Sequence, residues 1–224
     1  ILSWSDDTTL RLWDTDGNPL TTLSGHEYAI LGALELSDGR ILSWGDDTTL
    51  RLWDTDGNPL ATLSGHILSV QGALELSDGR VLSWSDDTNP RLWDTNGKPL
   101  AILFGHTGGV NGAIELSDGR ILSWGDDRTL QLWDADGNPL ATLFGHTDTV
   151  NGAIELLDGV ILSWSDDTTM RIWQVYPNLH DYACNRMVRE LTYKERIEYD
   201  IRDEDGNIAL SPTCPQFEPV TPPQ

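Results

Sequence analysis

Two cysteines in 224 residues, Cys184 and Cys214, are too few for a disulfide-stapled secreted scaffold, and they fit reduced or loosely paired thiols in a cytoplasmic setting. Basic residues are scarce: 14 Lys and Arg stand against 36 Asp and Glu, a formal net charge of −22. Phosphate backbones are bound by clusters of Lys and Arg that displace counterions, so nucleic acid and anionic membrane are poor partners for this chain. No apolar run is long enough to span a bilayer, and nothing before position 176 has helical periodicity. The acid is spread over the whole length, as expected of a solvated surface that keeps a repetitive chain soluble and blunts edge pairing.

What is present is repetition. Trp4, Trp44, Trp84, Trp124 and Trp164 recur at one constant interval, and so do Trp13, Trp53, Trp93, Trp133 and Trp173, which accounts for all ten tryptophans. A fixed period of this size marks an array of one supersecondary unit that must stack on its neighbours to bury its apolar face. Within one period, 70–76 reads as a strand, Ser77-Asp78-Gly79 as a turn and 80–85 as a second strand. A third strand follows at 90–94, Asn96-Gly97 supplies a tight hairpin, and 99–104 forms a fourth. The array is expected to be all-β, with 18 strands over residues 1–175: three at the start, four in each of three whole units, three at the end.

The Gly-His pairs at 25–26, 65–66 and 105–106 are each followed, at one fixed interval, by Trp-Asp at 53–54, 93–94 and 133–134, and the pair at 145–146 by Trp-Gln at 173–174. With the phrase SWSDDTTLRLWD, this resembles the WD-repeat β-propeller family. The resemblance implies four-stranded antiparallel blades, about four and a half of them here. It departs from the family in one respect. Trp44 and its counterparts stand where the family has Gly or Ala, and the first strand has Glu35, Glu75, Glu115 or Glu155 near the usual Phe, as though aromatic volume had moved to the second strand. Because Ile1 falls at the start of a second strand, the chain is expected to be the C-terminal part of something longer, with upstream blades or a second chain needed for closure.

Ser, His and Asp recur in sets that could be taken for hydrolytic triads: His26, Ser43 and Asp47; His66, Ser83 and Asp87; His106, Ser123 and Asp127; and His146, Ser163 and Asp167. An enzyme has no need of four copies. The family resemblance implies structural tetrads completed by Trp53, Trp93, Trp133 and Trp173, in which His links the turn Asp to Ser and Ser meets the indole. The DTDGNP segments at 14–19 and 54–59 and DADGNP at 134–139 have the beginning of a calcium loop, but lack its distal carboxylate, and 94–99 reads DTNGKP. A hairpin turn explains them, so neither metal nor cofactor is expected.

After Trp173 the composition changes, which sets a division into 1–175 and a tail at 176–224. Helical spacing over 179–190 and a Thr192/Glu195 capping box predict two short helices before a Pro-rich end. His180, Cys184 and Cys214 offer only three of the four ligands structural zinc takes. The tail resembles a short C-terminal extension of bacterial WD-repeat proteins, many fused to signalling NTPase or caspase-like domains, although Arg196 and Glu190 replace that extension's Trp and Asn.

The functional expectation is a non-enzymatic platform for a protein or peptide partner, with a glycan- or small-ligand-binding propeller and an enzyme using the central channel as alternatives. The residues after each Gly-His vary while the framework is nearly constant: Glu27-Tyr28, Ile67-Leu68, Thr107 and Thr147-Asp148. These are expected on one rim, where repeat proteins commonly bind, and the family resemblance adds Asp46, Asp86, Asp126 and Asp166.

Overall fold

The structure, a computed structural model, describes residues 1–175. The expected helices at 179–190 and 192–199, the Pro-rich end, and His180, Cys184 and Cys214 lie outside the described residues. Among the described residues, eighteen strands form five antiparallel meanders. The first sheet has three strands, β1 (Leu2–Trp4), β2 (Thr9–Trp13) and β3 (Pro19–Ser24). Three four-stranded sheets follow: β4 (Ile30–Glu35), β5 (Ile41–Gly45), β6 (Thr49–Trp53) and β7 (Pro59–Ser64); β8 (Val70–Glu75), β9 (Val81–Ser85), β10 (Arg91–Trp93) and β11 (Pro99–Ile102); β12 (Val110–Glu115), β13 (Ile121–Gly125), β14 (Leu130–Trp133) and β15 (Pro139–Leu143). The last sheet has β16 (Val150–Glu155), β17 (Val160–Ser165) and β18 (Met170–Gln174).

The turns follow from local chemistry. Gly57 takes a φ of +87° at the hairpin after β6, a region L side chains rarely occupy, and Asp54 fixes that hairpin by accepting the Asp56 and Asn58 backbone N–H groups at 3.0 and 2.7 Å. Between β5 and β6, Thr48 is held at a φ of +64° although it is β-branched. The strain is tolerated because the next residue is anchored twice: Asp47 Oδ1 accepts from the Thr49 backbone at 3.1 Å and from its hydroxyl at 2.8 Å.

Packing is between sheets more than within them. One core joins Leu36, Leu42, Trp44, Leu50, Leu52 and Leu63 of the second sheet to Val70, Ala73, Val81 and Trp93 of the third. Another joins Leu10 and Leu23 of the first sheet to Ile30, Ile41 and Trp53 of the second. Each sheet therefore buries its apolar residues against its sequence neighbours, as a stack of incomplete units must. Serine bridges reinforce the contacts: Ser37 gives its backbone N–H and its hydroxyl to the two carboxylate oxygens of Glu75 in the next sheet, at 2.7 and 2.8 Å. The same latch joins Ser77 to Glu115 and Ser117 to Glu155.

The displaced aromatic has a visible counterpart. Trp44 lies over Gly32 of the neighbouring strand so closely that a Cβ there would collide with its six-membered ring, and the pair recurs at Gly72/Trp84, Gly112/Trp124 and Gly152/Trp164. The indole of the second strand thus fills volume that the glycine of the first leaves open. One expected element is shorter than the sequence indicates. The fourth strand of the third sheet stops at Ile102 instead of continuing to 104, because Pro90 stands where β6 has Leu50 and lacks the N–H needed to complete the ladder.

Candidate functional site

The hairpin between the second and third strands of each sheet comes up beneath the loop entering that sheet, and this brings the four sets of polar residues together. His26 Nδ1 is 2.8 Å from Asp47 Oδ2, His26 Nε2 is 2.8 Å from Ser43 Oγ, and Trp53 Nε1 donates to that same oxygen at 2.9 Å. His66, Asp87, Ser83 and Trp93 repeat this at 2.8, 2.8 and 2.9 Å. In the next set His106 is 2.9 Å from Asp127 and 2.8 Å from Ser123, which takes the Trp133 indole N–H at 3.0 Å. In the last set His146 is 2.8 Å from Asp167 and 2.8 Å from Ser163, and Trp173 donates to Ser163 at 2.8 Å. Each Asp also accepts the backbone N–H after its histidine, from Glu27, Ile67, Thr107 or Thr147.

The bonds run in one direction only if the imidazole is neutral. Trp N–H donates to Ser Oγ, Ser O–H donates to His Nε2, and His Nδ1–H donates to the carboxylate, so each group finds its partner. A second ring proton would leave the buried Ser O–H without an acceptor. Burial accordingly pushes His26 and His66 below the ordinary histidine value, with the facing carboxylates of Asp47 and Asp87 opposing in part. Burial alone would raise Asp127, but the hydrogen bonds it accepts from His106, Thr107 and Thr129 bring it down to about 2. Asp47 is lowered in the same way, its burial outweighed by Thr49, the Glu27 backbone and His26.

Burial decides between triad and scaffold. Ser43, Ser83, Ser123 and Ser163 are all fully buried, so none is an accessible nucleophile. Each of their oxygens already holds an indole N–H and faces a histidine nitrogen. Ser163 stays at 0% exposure although it lies in the incomplete last sheet, where its partner Trp173 is only half-buried. A hydrolytic reading of Ser163 with His146 and Asp167 therefore fails on the same ground as in the other three sets. No substrate carbonyl can reach any of the four oxygens in this arrangement.

The first sheet carries the counterparts Ser3, Asp7 and Trp13 without a histidine. Trp13 Nε1 still donates to Ser3 Oγ at 2.8 Å, while Asp7 turns to Arg11 at 3.2 Å and to Thr9. Beside them is a cavity of about 140 Å³ lined by Ser3, Trp4, Ser5, Asp7, Thr9, Arg11 and Trp13.

All eleven rim residues are exposed: Glu27, Tyr28, Ile67, Leu68, Thr107, Thr147 and Asp148 in the loops, and Asp46, Asp86, Asp126 and Asp166 in the adjoining hairpins. A side chain placed at Gly109 would meet the carboxylates of both Asp86 and Asp126, so neighbouring hairpins converge there. Sequence reasoning missed the residues that aim these carboxylates. Each innermost strand has a β-bulge after its first residue, and the bulged position is Leu31, Gln71, Asn111 or Asn151. Gln71 donates to Asp86 at 2.8 Å, Asn111 to Asp126 at 2.9 Å, and Asn151 to Asp166. The available signal was the departure of these three polar residues from the otherwise apolar pattern of their strands. In the DTDGNP turns the first Asp spends its oxygens on the turn itself, as Asp54 does on Asp56 and Asn58. Among the described residues, no group of three or more His, Cys, Asp or Glu is arranged to hold a metal ion, and no helix is long and apolar enough to cross a membrane.

Four-stranded antiparallel meanders packed face to face, each pinned by a His-Asp-Ser-Trp chain, define the β-propeller class. Residues 17–54 and 97–134 match the family model of the WD domain, G-beta repeat. Among solved structures, the crystal structure of the WD40 beta propeller domain of Doa1 is similar at 27% identity and a TM-score of 0.65, over 79% of this chain. This chain in turn spans 60% of that structure's length. No curated protein sequence matches. The described residues have the fold of a β-propeller array and are similar to WD repeats, and the incomplete end sheets fit a propeller that needs more chain. Propellers of this family commonly serve as platforms for protein or peptide binding.

Proposed function

We propose that this array is a non-enzymatic platform that holds a protein or peptide partner on the rim formed by Glu27, Tyr28, Asp46, Ile67, Leu68, Asp86, Thr107, Asp126, Thr147, Asp148 and Asp166. The observation that carries this reading is the exposure of Tyr28, Ile67 and Leu68 on a rim where Gln71 and Asn111 hold the carboxylates of Asp86 and Asp126. Large apolar side chains kept in solvent next to oriented charge are the usual material of a binding hot spot. The tetrads are scaffold in this reading, since Ser43, Ser83, Ser123 and Ser163 and their histidines are buried and occupied with each other.

The first sheet accepts a further strand, from preceding chain or from a second chain, whose histidine would bridge Ser3 and Asp7. The cavity beside that pair and the unpaired edge of β1 support this. The likeness of the tail to an extension of bacterial signalling proteins supports a place at the C-terminal end of a larger cytoplasmic signalling protein, with 1–175 as the propeller and 176–224 as its tail. The test is a paired capture: Tyr28→Ala with Leu68→Ala should lose partners that the parent chain retains, with unchanged melting. A complex whose contacts fall on the hairpins at 55–58 and 95–98 overturns the rim assignment.

A further inference from the structure

The outermost strands offer a second surface, independent of the rim. In β3 and β7 the residues facing outward are Leu20, Thr22 and Ser24, and Leu60, Thr62 and Ser64, an apolar residue followed by two small polar ones. The fourth sheet changes one of the three, with Phe144 in place of serine, and the third sheet changes both polar positions. Leu100, Ile102 and Phe104 are 51%, 39% and 69% exposed, while Leu103 between them is fully buried. Alternation places the three on one face. They form an apolar stripe along β11 and the two residues after it, and β11 is the last strand of its sheet, with its outer edge unpaired among the described residues.

Three other substitutions flank the stripe. Pro90 accepts the Leu103 N–H at 2.9 Å but has no N–H to return, so the strand loosens from its neighbour at the Phe104 end. At the opposite end, Lys98 replaces Asn18, Asn58 and Asn138, and Asn96 replaces Asp16, Asp56 and Asp136. Lys98 is the sole lysine among the described residues and is exposed; its backbone N–H donates to Asp94 Oδ1 at 2.9 Å, and its charge helps to hold that carboxyl below the ordinary value. The hairpin at the foot of the stripe has thus lost a carboxylate and gained a cation. Exposed edges are ordinarily blunted by polar or charged residues, and this one is left open.

We infer that β11 is a β-augmentation site for an extended segment of a partner protein, apolar at alternate positions and ending in a carboxylate that meets Lys98. Backbone groups on the open side of β11 would pair with the added strand, and Leu100, Ile102 and Phe104 would receive its apolar side chains. Register argues for a foreign acidic-ended strand over a second copy, because antiparallel pairing about Ile102 brings no carboxylate of one copy to Lys98 of the other.

The test uses the full chain and a fluorescein-labelled peptide, Glu-Glu-Val-Thr-Val-Thr-Val, followed by anisotropy. Ile102→Thr with Phe104→Ser installs the residues of the second sheet, so the fold is kept, and should weaken binding at least about tenfold. Lys98→Asn should weaken it by about threefold, with a reduced salt dependence. N-methylating the peptide amides along one edge should abolish binding if ladder bonds carry it. Equal binding by the Ile102→Thr/Phe104→Ser chain, or no binding by the parent, overturns the site. A concentration-dependent dimer of the parent that this double substitution dissolves overturns the foreign partner in favour of a second copy.

Discussion

Leu50 and Met170 occupy the same position of the repeat, three units apart, on the third strand of their sheets. Leu50 is 0% exposed and Met170 is 71% exposed. The strands have the same register to their neighbours: Leu50 pairs with Trp44, and Met170 with Trp164. Two things differ: Leu50 also pairs with Leu63 on a fourth strand, which the sheet of Met170 lacks among the described residues, and a further sheet packs against it. Val70, Ala73, Val81 and Trp93 cover Leu50, while among the described residues nothing covers Met170. Trp4 and Trp44 differ similarly, since Trp44 has Gly32 beneath it and Trp4 has no such neighbour among the described residues. In an array of this kind burial is a property of the interface between units, so the same residue type can be core or surface.

The comparison can be broken most directly by truncation. Leu50→Ala should cost about 2–5 kcal/mol by leaving a cavity between two sheets, whereas Met170→Ala should stay within about 0.5 kcal/mol. Urea midpoints of the two variants at constant slope measure this, and equal losses would show that the sheets do not depend on their neighbours.

The tetrads sharpen it next. His106→Ala should cost about 1–3 kcal/mol by orphaning Ser123 and Asp127, and Ser3→Ala in the first sheet, where no histidine is present, should cost clearly less. Acid should act on the same groups. His26 and His66 have folded values below the ordinary 6.5, so the unfolded chain binds the first protons and stability falls as pH drops below about 6.5. Asp47 and Asp127 lie below the ordinary 3.8, and their contribution is lost as pH falls through that value towards about 2 for Asp127. Thermal midpoints should therefore be level from pH 8 to about 6.5 and decline from there to pH 3, and a midpoint that rises between pH 6.5 and 5 would contradict the neutral-histidine chain.

The smallest effect belongs to the latches. Glu115→Gln should cost about 0.5–1 kcal/mol, because its two bonds to Ser77 are partly exposed, while Glu35→Gln, with no serine partner among the described residues, should cost nothing measurable. Chemical denaturation of the two variants side by side distinguishes them.

Much of this was legible in the sequence because a repeat reports its own spacing. The fixed period, the hairpin pairs and the Gly-His to Trp-Asp interval determined the number of strands, their order and the likeness to WD repeats, since turn chemistry and strand alternation act within a few residues. The identities of His26, Ser43, Asp47 and Trp53 were legible too, through the family pattern, and so were those of His146, Ser163, Asp167 and Trp173. The bulge that turns Gln71 and Asn111 towards Asp86 and Asp126 was not, because a bulge is a mismatch between two strands and neither strand shows it alone. Nor was the Ser37–Glu75 latch, which joins residues of separate sheets. Glu75 read as an oddity in a first strand, and only the neighbouring sheet supplies its partner. Whether Leu50 or Met170 is core was likewise decided by tertiary structure, because apolar surface is buried only where a second surface arrives to exclude water, and the sequence of one unit does not contain the other.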